Sequence, residues 1–286
     1  MHRPLGDAII FTTLDCNSGY WQILMALEDK EKTAFISHCG LYQWLRMPFG
    51  LKNAPGTFQR AADIILASVK WQYALVYLDD VIVYSKSIEE HFGHLDHVLQ
   101  LMHDAGLTLK LNKCEFFRSS VDYLGHVISP GKLQVTQRAI EAIKKARHPL
   151  NVSEMRSFLG LCNVYRRFVK GFTKIANPLN RKLRKGEKPT WSKLTDEEQQ
   201  AFETLKEALT SPLILALPRA GFPYILDTDA CDVQVGCVLQ QEQPEGKPRP
   251  VGFWSRSLSQ AECNYDTTNK ECLAIVWAVL ILRPYL

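Results

Sequence analysis

The sequence predicts an α+β protein with more than one domain, and three observations support this fold class. Residues 1–130 alternate short β-branched or aromatic stretches with two amphipathic helical stretches. Residues 131–190 are basic and have helical periodicity. From Gly221 onward the pattern returns to strand-like sequence and then a closing apolar helix. A chain of 286 residues is long enough for more than one hydrophobic core.

Charge is distributed unevenly along the chain. The formal net charge is +4, but residues 131–190 contain 15 Lys and Arg against three acids, a local excess of +12. The remaining residues therefore sum to −8. A basic segment joined to an acidic remainder indicates a polyanionic partner that one part binds and another part processes.

The cysteines and the apolar runs indicate the cellular compartment. The eight cysteines form no C-x-x-C pair, which argues against a zinc site and favours free thiols in a reducing compartment. Residues 8–11 are too short an apolar run for a signal peptide. The longest apolar run, residues 272–282, is too short to span a bilayer. We expect a soluble intracellular protein with no membrane partner.

The predicted strands follow from β-branched and aromatic residues between turn signals. Residues 8–15 predict a strand that ends in an acid, and residues 33–47 predict a hairpin. Residues 107–117 and 121–129 are interpreted as short strands. After Gly221 we expect a strand, a turn, a second strand and the closing helix.

The predicted helices have recognisable caps. Asn53 is the expected N-cap of a helix with Pro55 in its first turn. Residues 88–106 predict a helix that Gly106 terminates. A capping box opens residues 151–169, and residues 195–211 predict a further capped helix.

Two adjacent acids, Asp79 and Asp80, lie within the otherwise apolar residues 75–84. The apolar stretches on either side predict a β-hairpin with the acids at its tip. Asp15 ends another apolar strand and supplies a third carboxylate. Mg²⁺ prefers carboxylate, water and phosphate oxygens, and paired ions about 3.5–4 Å apart catalyse phosphoryl transfer. We therefore interpret the acids as a divalent-metal site, with a solvated charged β-turn as the alternative.

Several further motifs accompany the paired acids. They are FTTLDCNSGYWQI (11–23), KTAF (32–35), MPFGLKNAPGTFQR (47–60), YLDDVIVYS (77–85), LNKCEFF (111–117) and VDYLGHVIS (121–129). In this order they resemble the reverse transcriptase of gypsy-class long-terminal-repeat retrotransposons. The resemblance continues through TWSKLTDEEQQAFETLKEAL, ILDTDACDVQVGCVLQ and AECNYDTTNKECLAIVWAV, so it covers nearly the whole chain.

The resemblance implies four domains. Residues 1–130 are expected to form a right-hand polymerase palm with partial fingers, and residues 131–190 a helical, basic thumb. Residues 191–220 correspond to a connection. Residues 221–286 correspond to a ribonuclease H-like α/β domain that is truncated at its C terminus.

The resemblance assigns roles around the acids. Asp15, Asp79 and Asp80 correspond to the catalytic, metal-binding triad, which uses two Mg²⁺ or Mn²⁺ ions. Nucleotide-binding roles fall on Tyr20, Phe49, Gly50 and Lys113. Tyr20 corresponds to the aromatic gate that excludes a 2′-hydroxyl, and Phe49 and Gly50 to the surface beneath the incoming nucleotide. Lys113 is a candidate proton donor to pyrophosphate. A core aromatic and a solvated lysine are the respective alternatives for Tyr20 and Lys113.

Nucleic-acid contacts are implied in two places. The primer grip corresponds to Tyr123, Leu124, Gly125 and His126. Expected backbone contacts of the thumb are Arg156, Arg166, Arg167, Lys170 and Lys174, with a solvated helix face as the alternative. Gln59 and Arg60 face either the template or solvent and are not assigned.

The ribonuclease H-like segment contains two of four expected acids. Asp229 and Glu271 match the first two, and Asp227 shares a strand face with Asp229. The alternative for Glu271 is a capping box with Thr268. Because the other two acids and most of the fingers are absent, we expect an inactive ribonuclease H site and weak or no polymerization by this chain. Degradation of a labelled RNA–DNA hybrid would contradict the first expectation.

These observations predict an RNA-directed DNA polymerase of a retrotransposon with an incomplete ribonuclease H domain. A degenerate remnant that binds nucleic acid without catalysis is the alternative, and the Tyr20 gate argues against an RNA-copying RNA polymerase. Expected partners are an RNA template, a DNA primer, RNA–DNA hybrid, deoxynucleoside triphosphates, and the protease and integrase of the same polyprotein. The resemblance implies a cytoplasmic virus-like particle or the nucleus as the location.

Overall fold

The computed structural model describes residues 5–184, 191, 194–211, 214–243 and 246–286. The chain divides into two compact units. The N-terminal unit consists of Asp7–Leu124 and Ile128–Pro130. The C-terminal unit contains Gly125–Val127 and Gly131–Leu286, together with the start of the chain. The basic sequence of residues 181–191 predicts a further exposed stretch, and most of it lies outside the described residues.

The N-terminal unit combines short strands with two long helices. Its elements are β1 (Ile10–Asp15), α1 (Leu27–Lys30), β2 (Phe35–Ser37), β3 (Gly40–Tyr42), α2 (Ala54–Ile65), β4 (Ala74–Tyr77), β5 (Asp80–Ser85), α3 (Ile88–Asp104), β6 (Glu115–Arg118) and β7 (Val121–Tyr123). Four of these strands form one sheet in the order β4-β5-β1-β6, and β2 pairs with β3 as a separate hairpin. The first sheet thus has β1, which ends in Asp15, in an interior position.

One face of this sheet forms the hydrophobic core of the unit. Leu14, Val81 and Val83 are buried on that face. They belong to one cluster with Phe58 of α2 and Val98 of α3. Because successive strand residues alternate between faces, Asp15 and Asp80 project from the opposite face.

The predicted hairpin of the paired acids is confirmed. Strands β4 and β5 are antiparallel, with Tyr77 opposite Asp80, so Leu78 and Asp79 form a two-residue turn. The β2–β3 hairpin is also present, with Ser37 opposite Gly40. In both hairpins strand-forming residues lie on either side of a two-residue turn.

The C-terminal unit contains most of the helices. Strand β8 (His126–Ser129) is divided between the two units. The further elements of the C-terminal unit are β9 (Lys132–Val135), α4 (Gln137–Lys145), α5 (Val152–Val164), α6 (Phe172–Arg181), α7 (Asp196–Thr210), β10 (Ile214–Ala216), β11 (Tyr224–Ala230), β12 (Gln234–Glu242), β13 (Pro248–Ser257), α8 (Gln260–Cys263) and α9 (Thr267–Leu282). Strand β9 pairs with β10, and β11-β12-β13 form an antiparallel sheet. Helix α9 packs on that sheet through Ala278 and Leu282, which cluster with Cys237 and Leu239 of β12.

Both predicted N-caps in this unit are confirmed. The Asn151 side chain accepts a hydrogen bond from the Glu154 amide, but the Glu154 side chain accepts from the Leu150 amide, so the predicted capping box at Asn151 is incomplete. Thr195 and Glu198 form a full capping box. The apolar stripe of α5 is buried, and Phe158 contacts Phe202 of α7 with ring centroids 4.5 Å apart. Local polar signals were sufficient to predict where both helices begin.

Three expectations from the sequence are wrong. The N-cap of α9 is Asp266, which accepts a hydrogen bond from Asn269, so Thr268 lies inside the helix and forms no capping box with Glu271. Residues 107–114 do not continue a strand, because Leu111–Lys113 form a 3-10 turn and β6 begins at Glu115. The segment after Gly221 contains a third strand, β13, whose prolines and arginines concealed it.

The eight cysteines all lie within the described residues and are free thiols. Among the described residues, no helix is both long and apolar enough to cross a membrane.

Candidate active site

The three candidate carboxylates meet at one end of the β1–β5 strand pair. Asp15 is the last residue of β1 and lies directly opposite Asp80, the first residue of β5. Side chains opposite each other in an antiparallel pair share a face, with Cβ atoms about 4.5–5.5 Å apart. The Cys16 amide donates a hydrogen bond of 3.1 Å to the Asp79 carbonyl oxygen, which holds the turn beside the end of β1. The structure therefore brings Asp15, Asp79 and Asp80 together.

Electrostatic effects show that the acids repel one another. Partial desolvation raises the pKa of Asp80, although the residue retains an exposed surface. The charges of Asp79 and Asp15 raise this pKa further, while the Lys113 ammonium lowers it. Burial, then the charges of Asp79 and Asp15, raise the pKa of the Cys16 thiol to about 12, so this thiol stays protonated at neutral pH.

The donor chemistry of this cluster fits a divalent cation. Carboxylate oxygens are the ligands that Mg²⁺ prefers, and a bound cation would relieve the repulsion among the acids. Lys113 is the basic side chain paired with the cluster, with its Nζ 3.2 Å from Asp15 Oδ2. In the part of the chain that the structure describes, no three His, Cys, Asp or Glu side chains form an assembled metal-binding group. The acids are thus neighbours but not a closed coordination set.

Tyr20 and Phe49 form an aromatic pair near these acids. Tyr20 lies in the 3-10 turn Gly19–Gln22, and its ring centroid is 5.1 Å from that of Phe49. Burial, then the charge of Asp79, raise the pKa of Tyr20, so the phenol is within electrostatic reach of the catalytic candidates. Phe49 is 57% exposed. The pair therefore offers an accessible aromatic surface beside the carboxylates.

Gly50 follows Phe49 in a backbone conformation that favours glycine. Its φ is 93°, and a Cβ there would have no neighbour within 4 Å. The constraint at Gly50 is thus the backbone conformation and not the space around it.

The four primer-grip candidates divide between the two units. In the N-terminal unit, Tyr123 is buried and its hydroxyl donates a hydrogen bond of 3.4 Å to the Asp80 carbonyl oxygen, while Leu124 has a positive φ of 49°. In the C-terminal unit, the Gly125 carbonyl oxygen accepts a 2.8 Å hydrogen bond from Tyr165. The His126 ring lies 5.4 Å from that of Tyr165.

The ribonuclease H-like candidates are brought together only in part. Asp227 and Asp229 share the exposed face of β11, as expected from their spacing. Asp227, Asp229 and Lys170 line a cavity of about 180 Å³. Asp227 also accepts a 2.7 Å hydrogen bond from Gln240. Glu271 lies on α9 and is not among the residues lining this cavity.

The basic candidates behave in two ways. Arg156, Lys170 and Lys174 are exposed. Arg166 instead donates a 2.6 Å hydrogen bond to the Ser255 carbonyl oxygen of β13. Arg167 donates to the Tyr285 hydroxyl at 2.9 Å and lies over the Trp254 ring. The guanidinium groups of Arg166 and Arg167 thus form hydrogen bonds within the C-terminal unit.

Sequence reasoning missed a buried histidine that joins β1 and β5 on the sheet face opposite the acids. His91 is fully buried in α3, where it continues the stripe of Leu95, Val98 and Met102. The spacing of this stripe is the sequence signal that would have placed His91 in the core.

The N-terminal and C-terminal parts of the chain match two families. Residues 2–128 match the family described as reverse transcriptase (RNA-dependent DNA polymerase). Residues 194–286 match the RNase H-like domain found in reverse transcriptase.

Similar proteins include transposon polyproteins from insects and yeast. The chain is 41% identical over 282 residues to the retrovirus-related Pol polyprotein from transposon 297 of Drosophila melanogaster, and the match covers 99% of this chain and 26% of that protein. The chain is 40% identical to the retrovirus-related Pol polyprotein from transposon gypsy of the same species, and the match covers 99% of this chain and 28% of that protein. The transposon Tf2-3 polyprotein of Schizosaccharomyces pombe is 37% identical, with 97% of this chain and 21% of that protein covered. The chain thus spans about a quarter of the length of these relatives.

Solved structures share the fold. The foamy viral protease-reverse transcriptase in complex with RNA/DNA hybrid has a TM-score of 0.83 at 23% identity, covering 98% of this chain and 38% of that chain. The complex of the same protein type with double-stranded DNA has a TM-score of 0.82 over 97% of this chain and 58% of that chain. Fold, paired acids and relatives agree, and the chain belongs to the reverse transcriptase family of long-terminal-repeat retrotransposon Pol polyproteins, with a reverse transcriptase domain followed by a ribonuclease H-like domain.

Proposed function

We propose that this chain carries the nucleotidyl-transfer site of an RNA-directed DNA polymerase. The observation that carries the proposal is the pairing of Asp15 with Asp80, with Asp79 in the adjoining turn. It places three carboxylates at one end of two neighbouring strands. We propose the domain organisation implied by the resemblance, with residues 1–130 as palm and partial fingers, 131–190 as thumb, 191–220 as connection and 221–286 as ribonuclease H-like domain.

In the proposed reaction, the primer 3′-hydroxyl loses its proton to solvent, and its oxygen forms a bond to the α-phosphorus of a deoxynucleoside triphosphate. The bond from that phosphorus to the bridging oxygen breaks, and pyrophosphate leaves. Asp15, Asp79 and Asp80 would hold two Mg²⁺ or Mn²⁺ ions. Such ions, when bound, activate the hydroxyl and stabilise the negative charge on the leaving oxygen.

The neighbouring side chains act on the nucleotide. The Tyr20 ring occupies the space that a 2′-hydroxyl would need, and Phe49 supports the nucleotide from the same side. Lys113 donates a proton to the departing pyrophosphate, and its ion pair with Asp15 supports a position close to the reacting groups. Tyr123, Leu124, Gly125 and His126 position the primer end.

Nucleic acid is the proposed macromolecular partner. Exposed Arg156, Lys170 and Lys174 contact the phosphate backbone of an RNA template with its DNA primer, and the RNA/DNA hybrid in the structurally similar foamy viral complex supports this choice. We further propose that a protease and an integrase belong to the same polyprotein, and that the protein works in a cytoplasmic virus-like particle or in the nucleus.

Primer extension tests the proposal. The chain is supplied with an RNA template, a DNA primer, deoxynucleotides and either Mg²⁺ or Mn²⁺, and it is compared with Asp79→Asn. Asp96→Asn is the matched control, because Asp96 is an exposed acid of α3 outside the site.

The proposal predicts that the unaltered chain and Asp96→Asn extend the primer to the same weak extent and that Asp79→Asn does not extend it. Equal extension by all three shows that extension does not depend on Asp79, and extension by none while the chain still binds the hybrid supports a remnant that binds nucleic acid without catalysis. Either outcome overturns the polymerase assignment for this chain.

A further inference from the structure

The turn between β4 and β5 has an unusual backbone conformation. Leu78 is its first residue and has a positive φ of 54°. Two-residue hairpin turns favour glycine at this position, because a Cβ is strained in the left-handed region. A leucine persists there only if surrounding contacts stabilise the conformation. The next two residues are Asp79 and Asp80, so the direction of both acids depends on this conformation.

Gln59 of α2 supplies such contacts. Its Oε1 accepts a 2.7 Å hydrogen bond from the Leu78 amide, which is a backbone donor inside the turn. Its Nε2 lies 3.4 Å from the Val76 carbonyl oxygen on the strand entering the turn. One side chain thus contacts the backbone on both sides of Tyr77.

Asp63 and Lys70 fix the orientation of the Gln59 amide. Gln59 Nε2 donates a 2.8 Å hydrogen bond to Asp63 Oδ1, which also accepts a hydrogen bond from Lys70. A carboxylate accepts hydrogen bonds and donates none, so it faces the NH₂ group. The Gln59 oxygen is therefore directed toward the Leu78 amide.

We propose that Gln59 is a positioning residue for nucleotidyl transfer. It stabilises the left-handed conformation of Leu78 and so fixes the direction of Asp79 and Asp80, with Asp63 and Lys70 fixing the Gln59 amide. The effect on catalysis rests on the proposed function, whereas the effect on the turn does not. The competing explanation is an ordinary helix-surface pair between Gln59 and Asp63 with no influence on the turn.

Four variants separate these explanations. Gln59→Leu removes both contacts with the turn. Leu78→Gly removes the strain, and the double variant combines the two changes. Gln100→Leu is the control, because Gln100 donates to Asp104 at the same four-residue spacing on the exposed face of α3, away from the turn.

Two readouts are measured on each variant of the full chain: single-nucleotide extension kinetics, and the hydrogen-exchange rate of the residue 78 amide by NMR. Gln59→Leu is expected to lower kcat by about tenfold or more, with KM for the deoxynucleotide changed less than about twofold, since small misplacements of catalytic groups act on the chemical step. Exchange at Leu78 should rise by about five- to tenfold, because its hydrogen bond is lost.

The double variant decides between positioning and general destabilisation. Glycine adopts a positive φ without strain, so Leu78→Gly should restore kcat of Gln59→Leu to within about threefold of the Leu78→Gly single variant. Gln100→Leu should leave kcat and exchange unchanged. Unaltered Leu78 exchange in Gln59→Leu, or a kcat loss that Leu78→Gly does not restore, would overturn the proposal.

The role of Gln59 can still be tested if the unaltered chain is inactive or if Gln59→Leu does not fold. If the unaltered chain extends no primer, the proposed function fails, and Leu78 exchange alone decides the role of Gln59. If Gln59→Leu does not fold, Asp63→Ala serves instead, because it keeps Gln59 but removes the acceptor that orients the amide. Faster Leu78 exchange in Asp63→Ala supports the proposal, and unchanged exchange contradicts it.

Discussion

Thr12 and His91 are 79 residues apart in the chain, and a 2.7 Å hydrogen bond joins Thr12 Oγ1 to His91 Nε2. The other ring nitrogen of His91 lies 2.8 Å from Ser85 Oγ. Thr12 belongs to β1 and Ser85 to β5, so one imidazole joins the two strands that carry Asp15 and Asp80. It does so on the face opposite the acids.

His91→Leu should destabilise the protein, because buried Thr12 and Ser85 lose a hydrogen-bond partner. Thr12 keeps the Phe117 amide and Ser85 keeps His94 as a partner, so the cost is that of two lost hydrogen bonds. Each contributes about 0.5–1.5 kcal/mol, and a decrease of about 2 kcal/mol in the free energy of unfolding is expected. Urea denaturation measures this change. His103→Leu is the control, since His103 is an exposed residue of the same helix and should change stability by less than about 0.5 kcal/mol. Equal effects of both substitutions would contradict the structural role of His91.

The same histidine predicts a pH dependence of stability. Burial, then the charge of His94, lower the pKa of His91 below its ordinary value. The unfolded state therefore binds a proton at His91 more readily than the folded state, and stability falls as the pH drops below about 6.5. Thermal melts between pH 5 and pH 8 measure this fall. It should be smaller in His91→Leu, and an unchanged pH profile would contradict the prediction.

Much of the fold followed from local sequence signals. The β4–β5 hairpin was predictable because Asp79 and Asp80 interrupt two apolar stretches. The α5 and α7 starts were predictable because Asn151 and Thr195 contact residues only three positions away. By contrast, the contact of Gln59 with Leu78 spans 19 residues and depends on how α2 packs beside the hairpin. Sequence alone left Gln59 unassigned for that reason.

The basic segment shows a second reason why sequence reasoning is incomplete. Arg166 and Arg167 look like surface charges in the sequence, yet they form hydrogen bonds with Ser255 and Tyr285 of the same unit. Charge and periodicity cannot distinguish such internal contacts from exposed phosphate-binding groups. Only the tertiary structure separates them from Lys170 and Lys174.

Salt-dependent hybrid binding should distinguish the two kinds of basic residue. The double variant Lys170→Gln, Lys174→Gln should reduce the slope of log K against log salt by up to about 1.8, because each phosphate contact contributes about 0.9. Fluorescence anisotropy with an RNA–DNA hybrid measures the slope. Arg167→Gln should lower thermal stability and leave the slope unchanged. A smaller slope in Arg167→Gln, with an unchanged slope in the double lysine variant, would contradict the assignment of phosphate contacts to the exposed lysines.

Substitution of Tyr20 should change sugar selection. Tyr20→Ala removes the ring that we propose occupies the 2′ position, and the ratio of kcat/KM for deoxynucleotides over ribonucleotides should fall by about 10- to 200-fold. Tyr20→Phe is the matched control, because it keeps the ring and loses only the hydroxyl. Single-nucleotide extension measures both ratios. If Tyr20→Phe relaxed selection as much as Tyr20→Ala, the hydroxyl and not the ring would be responsible.

The central claim is that Asp15 and the hairpin acids act at one site, and a double-substitution cycle tests it most directly. The single-turnover rate constant for extension is measured for Asp15→Asn, Asp80→Asn and the combined variant. Residues that act as a unit have strongly non-additive effects, so each single change should lower the rate by about 100-fold or more and the double variant should be no slower than the worse single variant. An unchanged rate in Asp15→Asn, or losses that multiply in the double variant, would contradict a shared site.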